Sequence, residues 1–130
     1  MPSNLDSVLG VHEYALNLQA RRSELLASNL ANADTPNYKA RDIDFKAMIA
    51  EYAGAGEGPR TTNARHIGTS GANGGGEALY RAPTQASIDG NTVDPQVEKA
   101  EYMQNSLRYQ ATLDFVNGSL RKLTSALKGQ

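Results

Sequence analysis

The stretch YMQNSLRYQATLDFVNGSLRKLTSAL, residues 102–127, places an apolar side chain at alternating steps of four and three residues. Such a heptad pattern is typical of an α-helix that packs lengthwise against another helix. One position of the stripe, Ser106, is polar. The stripe consists of Tyr102, Ser106, Tyr109, Leu113, Val116, Leu120, Leu123 and Leu127. The stretch therefore predicts a mainly α protein with a long C-terminal helix.

The residues before the stripe indicate where this helix begins. Asp94 is followed by Pro95. An aspartate can accept hydrogen bonds from the free amides of a first turn, and proline fits the first helical position. We expect one helix from Asp94 to Lys128, which would be roughly 50 Å long at about 1.5 Å per residue. A helix of that length favours a coiled coil.

A second helical pattern occupies the N-terminal part of the chain. Residues Leu5–Asn32 contain no proline and one glycine, Gly10. The apolar positions follow three-and-four spacing, which Arg22 interrupts and Asn29 ends. We expect the helix to stop before Pro36, because the residue preceding a proline is disfavoured in the α conformation. The candidate packing residues of this helix are Val8, Val11, Ala15, Leu18, Leu25, Leu26 and Leu30.

The middle of the chain has a different character. Nine of the twelve glycines lie from Gly54 to Gly90, which does not suit a conventional core. Alternating polar and apolar residues predict a short strand at Arg41–Phe45, and Ala47–Ala53 fits one or two helical turns. We expect a mobile loop at Gly54–Gly76, and an extended segment or hairpin arm at Leu79–Ile88.

These patterns divide the chain into three parts. The predicted core is a discontinuous helical domain, residues 1–35 and 93–130, whose helices pair as a coiled coil. Residues 36–53 form a turn with a short strand and helix, and residues 54–92 form a flexible region in which a short β-hairpin can form. Two long helices joined in this way become well ordered only when other helices bury their remaining faces. We expect the heptad stripe to form the seam with the first helix, and the flanking side chains to contact neighbouring molecules. These flanking side chains are Met103 and Leu107.

Charge and composition exclude several classes of function. Thirteen Lys and Arg residues against fourteen Asp and Glu leave a formal net charge of -1, without the basic excess that nucleic-acid binding requires. The absence of cysteine excludes disulfides and thiolate metal sites. The apolar runs are far shorter than the ~20 residues that cross a bilayer as a helix. Met1–Gly10 shows no cleavable secretory signal, so we expect no direct membrane insertion and export by another route.

The sequence also lacks a constellation for catalysis. His12 and His66 are isolated, and Asp42 and Asp44 have no histidine partner, so both aspartates are expected to be solvated. The glycine-rich run does not form a dinucleotide-binding loop, because Pro59 stands at its last required position. We predict that the protein is not an enzyme and that it binds no cofactor and no metal.

A segment at the end of the first helix resembles a known family. Leu26–Lys39, LASNLANADTPNYK, resembles the N-terminal signature of the flagellar rod and hook axial proteins. In that family a helix ends in Asn-Leu-Ala-Asn and is followed by a Thr-Pro or Thr-Thr turn and then Gly-Tyr. This chain has Asn37 where most of the family has glycine. Tyr38–Phe45, Asp89–Asp94 and Leu107–Ala111 resemble the proximal rod members in particular. The turn motif consists of Asn29, Asn32, Thr35, Pro36 and Tyr38.

The resemblance implies a structural subunit of the bacterial flagellar basal body, in the proximal rod. Its paired terminal helices would form the axial tube that spans the periplasm and transmits torque, and the turn motif would aim the following segment at a neighbouring subunit. The implied partners are other copies of the chain, other rod proteins, a FliE-like membrane-ring adaptor and the flagellar type III export apparatus, with no cleaved signal peptide.

The alternative is a soluble coiled-coil adaptor or a secretion chaperone with a flexible middle. The solution oligomer distinguishes the two functions. An adaptor forms a small closed complex, whereas a rod subunit is monomeric when dilute and forms open-ended assemblies, since head-to-tail contacts need not close.

Overall fold

The computed structural model describes residues 4–54, 78–83, 85 and 87–129. Side chains of the first helix are described from Leu9 onward, so the side chain of Val8 lies outside the described residues. Most of the predicted Gly54–Gly76 loop also lies outside them. The elements are helix α1 (Asn4–Ala31), strand β1 (Arg41–Asp42), helix α2 (Phe45–Gly54), strand β2 (Leu79–Tyr80) and helix α3 (Pro95–Lys128).

The two long helices, α1 and α3, pack against each other in antiparallel orientation. Asn29 of α1 contacts Glu98 of α3 near one end of the pair, and His12 contacts Phe115 near the other. These contacts are 17 residues apart on each helix, so the pairing keeps one register between them. The prediction of a mainly α fold with paired terminal helices is confirmed. No helix in the described part of the chain is long and apolar enough to span a membrane.

The predicted start of α3 is also confirmed. The Asp94 side chain accepts hydrogen bonds from the backbone amides of Gln96 and Val97, and Pro95 is the first helical residue. At the other end Gly129 adopts a left-handed conformation with φ 69°. That conformation suits glycine, which has no Cβ to clash with the backbone.

A small apolar core forms where α2 covers α1. Leu18, Leu25 and Ile43 are buried together. Around them pack the partly buried side chains of Tyr14, Phe45, Met48, Ile49 and Ala78. Further along α1, the rings of Tyr14 and Tyr52 stack with centroids 4.3 Å apart. The core therefore fixes α2 on one side of α1 and leaves another side for α3.

The strands are shorter than predicted and pair with each other. Arg41 lies opposite Tyr80 in an antiparallel ladder of two residues from each strand. Arg81 N continues the ladder by donating to Ala40 O at 2.9 Å. Phe45 does not continue β1 because it begins α2, whose first turn is capped by the Asp44 side chain accepting from Ala47 N at 3.0 Å. β2 is the only regular element in the described part of the predicted arm at residues 79–88.

The heptad stripe of α3 does not form the seam with α1 that we expected. The fully buried side chains of α3 are Glu98 and Asn105, both polar. Five stripe residues remain 38 to 87% exposed. They are Tyr102, Tyr109, Leu113, Leu120 and Leu127. The buried polar positions fix the rotation of α3, so the apolar stripe lies beside the contact with α1 rather than within it.

Candidate assembly joint and helix surface

The turn motif is organised around Asn29, the last buried residue of α1. Its amide Nδ2 donates to Arg41 O at 2.8 Å and to Glu98 Oε2 at 3.1 Å. Its Oδ1 accepts from Arg41 N at 3.1 Å and from the Tyr38 hydroxyl at 3.4 Å. Because the side chain is fully buried, these bonds satisfy its donors and acceptors inside the protein. Asn29 therefore joins α1 to β1 and to α3.

Asn32, Thr35 and Tyr38 shape the turn that follows. Asn32 Nδ2 donates back to Ser28 O at 2.8 Å, while its Oδ1 accepts from the Thr35 hydroxyl at 3.1 Å. The hydroxyls of Ser28 and Tyr38 are 3.2 Å apart. Pro36 is exposed. The motif thus ends α1 and turns the chain, as the sequence predicts, and four of its five residues make these contacts within one molecule.

Asn91 clamps this turn from the segment before α3. Its Nδ2 lies 3.0, 2.8 and 2.9 Å from the carbonyl oxygens of Asn32, Ala33 and Thr35. Its Oδ1 accepts from Val93 N at 2.8 Å. These three carbonyls belong to the turn that follows α1, which ends at Ala31. A buried amide from a distant part of the chain therefore supplies hydrogen-bond donors to the backbone of the turn.

A network of charged side chains lies next to Asn29. Arg22 binds Asp42 through two hydrogen bonds of 2.8 and 3.0 Å and Glu101 through one of 2.7 Å. Arg81 binds Asp42 at 2.6 Å and also binds Glu98. The network joins α1, β1, the residue after β2, and α3. The expectation that Asp42 is solvated is wrong, because both arginines close over its carboxylate.

The network shifts the pKa values of its members. Burial acts to raise the pKa of Asp42, but the hydrogen bonds from Arg22 and Arg81 hold it below its usual value. The hydrogen bond to Asp42 raises the pKa of Arg22, which stays charged. Burial raises the pKa of Glu98, against the opposing effects of the Asn29 hydrogen bond and the Arg81 charge. Asp42 is therefore stabilised as an anion, whereas Glu98 depends on its partners to stay ionised.

Further polar contacts continue along the α1–α3 seam. Asn105 Nδ2 donates to Gln19 O at 2.8 Å and to Ser23 Oγ at 2.7 Å. Gln19 Nε2 lies 3.3 Å from Thr112 Oγ1. Gln19 Oε1 has no hydrogen-bond partner among the described residues, although it is buried. Such a seam specifies one arrangement of the helices through hydrogen bonds rather than through apolar burial.

The polar seam leaves an open apolar groove along one side of the helix pair. The groove has a volume of ≈ 450 Å³. Its lining residues are Ala20, Ser23, Ser106, Tyr109, Gln110 and Leu113. Small side chains from both helices contribute to the lining, and Tyr109 and Leu113 present apolar surface. A groove of this form can receive the side chains of another helix.

The predicted packing residues occupy three environments. In α1, Ala15, Leu18, Leu25 and Leu26 are buried. Val11 and Leu30 in α1, and Val116 and Leu123 in α3, are half-buried. The other five apolar stripe residues of α3 are exposed, together with the two flanking residues Met103 and Leu107. Within the described residues, α1 thus directs its apolar face inward, and α3 directs much of its own outward. No group of three or more potential metal ligands occurs in that part of the chain.

Comparisons with known proteins connect this geometry to a family. Residues 9–39, which contain most of α1 and the turn motif, match the family model described as "Flagella basal body rod protein". The chain is 52% identical to the flagellar basal body rod protein FlgB of Cereibacter sphaeroides over 122 residues, 94% of each chain. The chain belongs to the FlgB family of flagellar basal body rod proteins. It is also 43% identical to FlgB of Aeromonas hydrophila, over 100% of this chain and 99% of that protein.

Membership of the FlgB family confirms the resemblance stated for the turn motif and identifies the chain as a structural basal-body rod protein. A more distant FlgB, from Escherichia coli K12, is 38% identical over 98% of both chains. The match therefore extends over both terminal helices and the segment between them.

The joint comprises the turn motif, Asn91 and the charged network. Five of its residues were missed in the sequence analysis: Arg22, Arg81, Asn91, Glu98 and Glu101. Arg22 was treated as an interruption of the α1 stripe, although a charged residue at an inward helical position is itself a signal of a buried partner. Asn91 stands in the Asp89–Asp94 segment that carried the resemblance. Nothing near Arg81 in the sequence indicates its partners, because Glu98 and Asp42 are 17 and 39 positions away along the chain.

Proposed function

We propose that this FlgB-family chain is an axial subunit of the proximal rod that assembles by packing the open side of its helix pair against helices of neighbouring subunits. The observation that carries the proposal is the apolar groove between α1 and α3, flanked by exposed stripe residues on α3. Tyr109 and Leu113, which line the groove, are each 38% exposed. Leu120 continues the same stripe at 46%. A neighbouring helix would bury these surfaces and hold subunits side by side along an axis.

The joint gives such a subunit the stiffness that torque transmission requires. Asn29, Asn91 and the charged network tie the end of α1 to β1 and to the first turns of α3. Buried and fully hydrogen-bonded polar groups restrict the relative movement of the elements that they join. A force applied to one helix would therefore reach the other through several fixed contacts. The role is structural and not catalytic.

We place the subunit at the base of the periplasmic rod, among other axial proteins. The subunit contacts further copies of itself, other rod proteins and a FliE-like membrane-ring adaptor at the base of the periplasmic rod. It reaches that place through the flagellar type III export apparatus. The family membership supports these partners, and the exposed side of the helix pair offers the surface for them. The turn motif directs residues 36–53 toward a neighbour.

Assembly of the purified chain tests the groove. Leu113→Asn places an amide in the groove and should weaken open-ended assembly with rod-protein partners about threefold or more. Leu113 is 38% exposed in the subunit, and burial of that fraction by a neighbour is worth about 0.6–1.1 kcal/mol. Desolvation of the amide adds to the loss. Ile88→Asn is the matched control, since Ile88 is fully exposed and lies outside the helices. Sedimentation velocity and electron microscopy measure the assemblies, and circular dichroism verifies that the helices are retained.

Two results would contradict the proposal. Equal loss of assembly in both variants would show that assembly does not depend on the groove. A parent chain that forms a closed dimer at all concentrations would instead favour the coiled-coil adaptor.

The partners are tested by placing a photo-crosslinking amino acid at position 113 or 88 in flagellated cells. We expect rod proteins to be captured from position 113 in basal bodies and not from position 88.

A further inference from the structure

Glu98 is a buried carboxylate on the first turns of α3, placed between α1 and the β arm, which we define as residues 78–83. It is 1% exposed. Its Oε2 accepts from Asn29 at 3.1 Å, and its Oε1 accepts from Arg81. Arg81 directly follows β2, and its second nitrogen Nη2 binds Asp42 at 2.6 Å. One arginine of the arm therefore contacts the carboxylates of both β1 and α3.

The surroundings of Glu98 make Arg81 its essential countercharge. The charged groups near it are Arg22 from α1, Asp42 from β1, Arg81 from the β arm and Glu101 from α3 itself. Arg22 directs its nitrogens to Asp42 and Glu101, at 2.8 and 2.7 Å. Asp42 and Glu101 repel the charge on Glu98. Within the described residues, Arg81 is thus the cation bonded directly to Glu98.

We propose that Arg81 is a positioning residue for the helix pair, which makes the pairing of α1 with α3 conditional on the docking of the β arm. The inference goes beyond the proposed rod function, because it concerns the isolated subunit and does not depend on what binds the groove. With the arm docked, the carboxylate of Glu98 is neutralised in the seam. With the arm released, α3 must bury an unpaired charge, take up a proton or separate from α1.

The arrangement gives the arm control over the assembly surface. The groove exists only while α1 and α3 are paired, because each helix supplies part of its lining. Glu98 lies at the end of the seam next to the joint, and Asn105 continues the same contact one heptad further along α3. Loss of the contact at Glu98 is therefore transmitted along the seam and not confined to the arm.

The pH dependence of stability provides the first test. Arg81→Met leaves Glu98 without its cation. Because burial raises the pKa of Glu98 in the folded state, the folded protein binds the proton more tightly, and the stability contributed by protonation is lost as pH rises. We expect the unfolding equilibrium constant in urea to rise on the order of a hundredfold at pH 7.5. At pH 4.5 this rise in the unfolding equilibrium constant should be smaller by about tenfold or more.

Rescue and control variants separate this role from ordinary packing. Arg81→Met with Glu98→Gln should recover most of the stability lost at pH 7.5 and remove the pH dependence of the effect, because glutamine needs no countercharge. Arg81→Lys should fall between the parent and Arg81→Met. The matched control is Arg21→Met, which removes an exposed arginine that lies 3.3 Å from Glu24. It should change neither the stability nor its pH profile.

Hydrogen exchange measured on the full chain at pH 7.5 locates the effect. In Arg81→Met we expect exchange about tenfold or more faster in residues 15–29 and 98–109, as well as in the arm. Faster exchange confined to residues 40–43 and 78–83 would overturn the inference, and so would a loss of stability that is independent of pH or not recovered by Glu98→Gln. If Arg81→Met is unfolded at pH 7.5, its helical circular dichroism should return at pH 4.5, and failure to return would equally overturn it.

Discussion

Gly90 packs so closely against Asn37 that a Cβ atom on Gly90 would lie 2.6 Å from Asn37 Oδ1. Both residues have positive φ angles, 60° at Asn37 and 74° at Gly90. The backbone links the two turns, since Asn37 N donates to Asp89 O at 2.9 Å. Asparagine tolerates the left-handed conformation better than most residues, which explains how it can hold a positive φ at this position.

This relationship predicts that Gly90→Ala lowers the free energy of unfolding by about 2 kcal/mol. Roughly half would come from the left-handed backbone and the remainder from displacing the Asn37 side chain. In an Asn37→Gly background the same substitution should cost about 1 kcal/mol. The difference between the two costs is the coupling energy, which a double-mutant cycle measures by urea unfolding. Additive costs would show that the Asn37 side chain does not oppose a Cβ atom at position 90. As a control, Gly118→Ala in open space on α3 should stabilise the protein by about 1 kcal/mol.

Substitutions of Asn91 at the same turn lead to a further prediction, which includes a dependence on pH. Asn91→Ala removes the donors to three carbonyl oxygens and should destabilise the protein by about 2 kcal/mol, with faster hydrogen exchange at the end of α1. Asn91→Asp should be worse than Asn91→Ala at pH 7, because a carboxylate would face those carbonyls, and should approach it at pH 3.5. A difference in stability between the aspartate and alanine variants that is the same at both pH values would contradict the geometry of the clamp.

Asp42 should account for part of the acid sensitivity of the fold. Its pKa is lower in the folded protein than in the unfolded chain, so its contribution is present above the unfolded pKa and is lost as pH falls through the folded pKa. Asp42→Asn should lower the free energy of unfolding by about 1–3 kcal/mol at pH 7, and by progressively less as pH falls below the unfolded pKa. Urea titrations across this range test it, with Asp44→Asn, at an exposed helix cap, as the control that should cost ~1 kcal/mol or less.

The helices and their ends follow from local chemistry, and this is why the sequence predicted them. Asp94 and Pro95 are adjacent to the turn that they start, and the heptad stripe lies within one helix. The charged network depends instead on side chains brought together from distant positions, such as Arg81 and Asp42. The stripe was assigned to the seam because spacing identifies an apolar face without identifying what covers it. The residues of α3 that are buried against α1 are Glu98 and Asn105, and a search for apolar spacing does not find them because both are polar.

That polar line leads to a prediction about Asn105. Asn105→Leu removes two hydrogen bonds from the seam, those to Gln19 O and Ser23 Oγ. The loss of these bonds leaves few buried groups without partners, because Ser23 is only half-buried and the Gln19 carbonyl is still part of the helix backbone of α1. The added apolar burial should offset the loss, so the free energy of unfolding should stay within about 1 kcal/mol of the parent. Leu18→Ala, in the fully buried core, should instead cost about 2–5 kcal/mol.

The expected consequence of Asn105→Leu is a loss of specificity. Without the hydrogen bonds to Gln19 and Ser23, α3 can rotate and bury its own stripe against α1, because apolar contacts do not demand one rotation as directional bonds do. Tyr109 would then become less accessible, and assembly through the groove should weaken although the chain is no less stable. Nitration of Tyr109, followed by peptide mass spectrometry, measures its accessibility, and sedimentation measures the assembly. A large loss of stability with unchanged accessibility of Tyr109 would show that Asn105 supports the fold and does not select its arrangement.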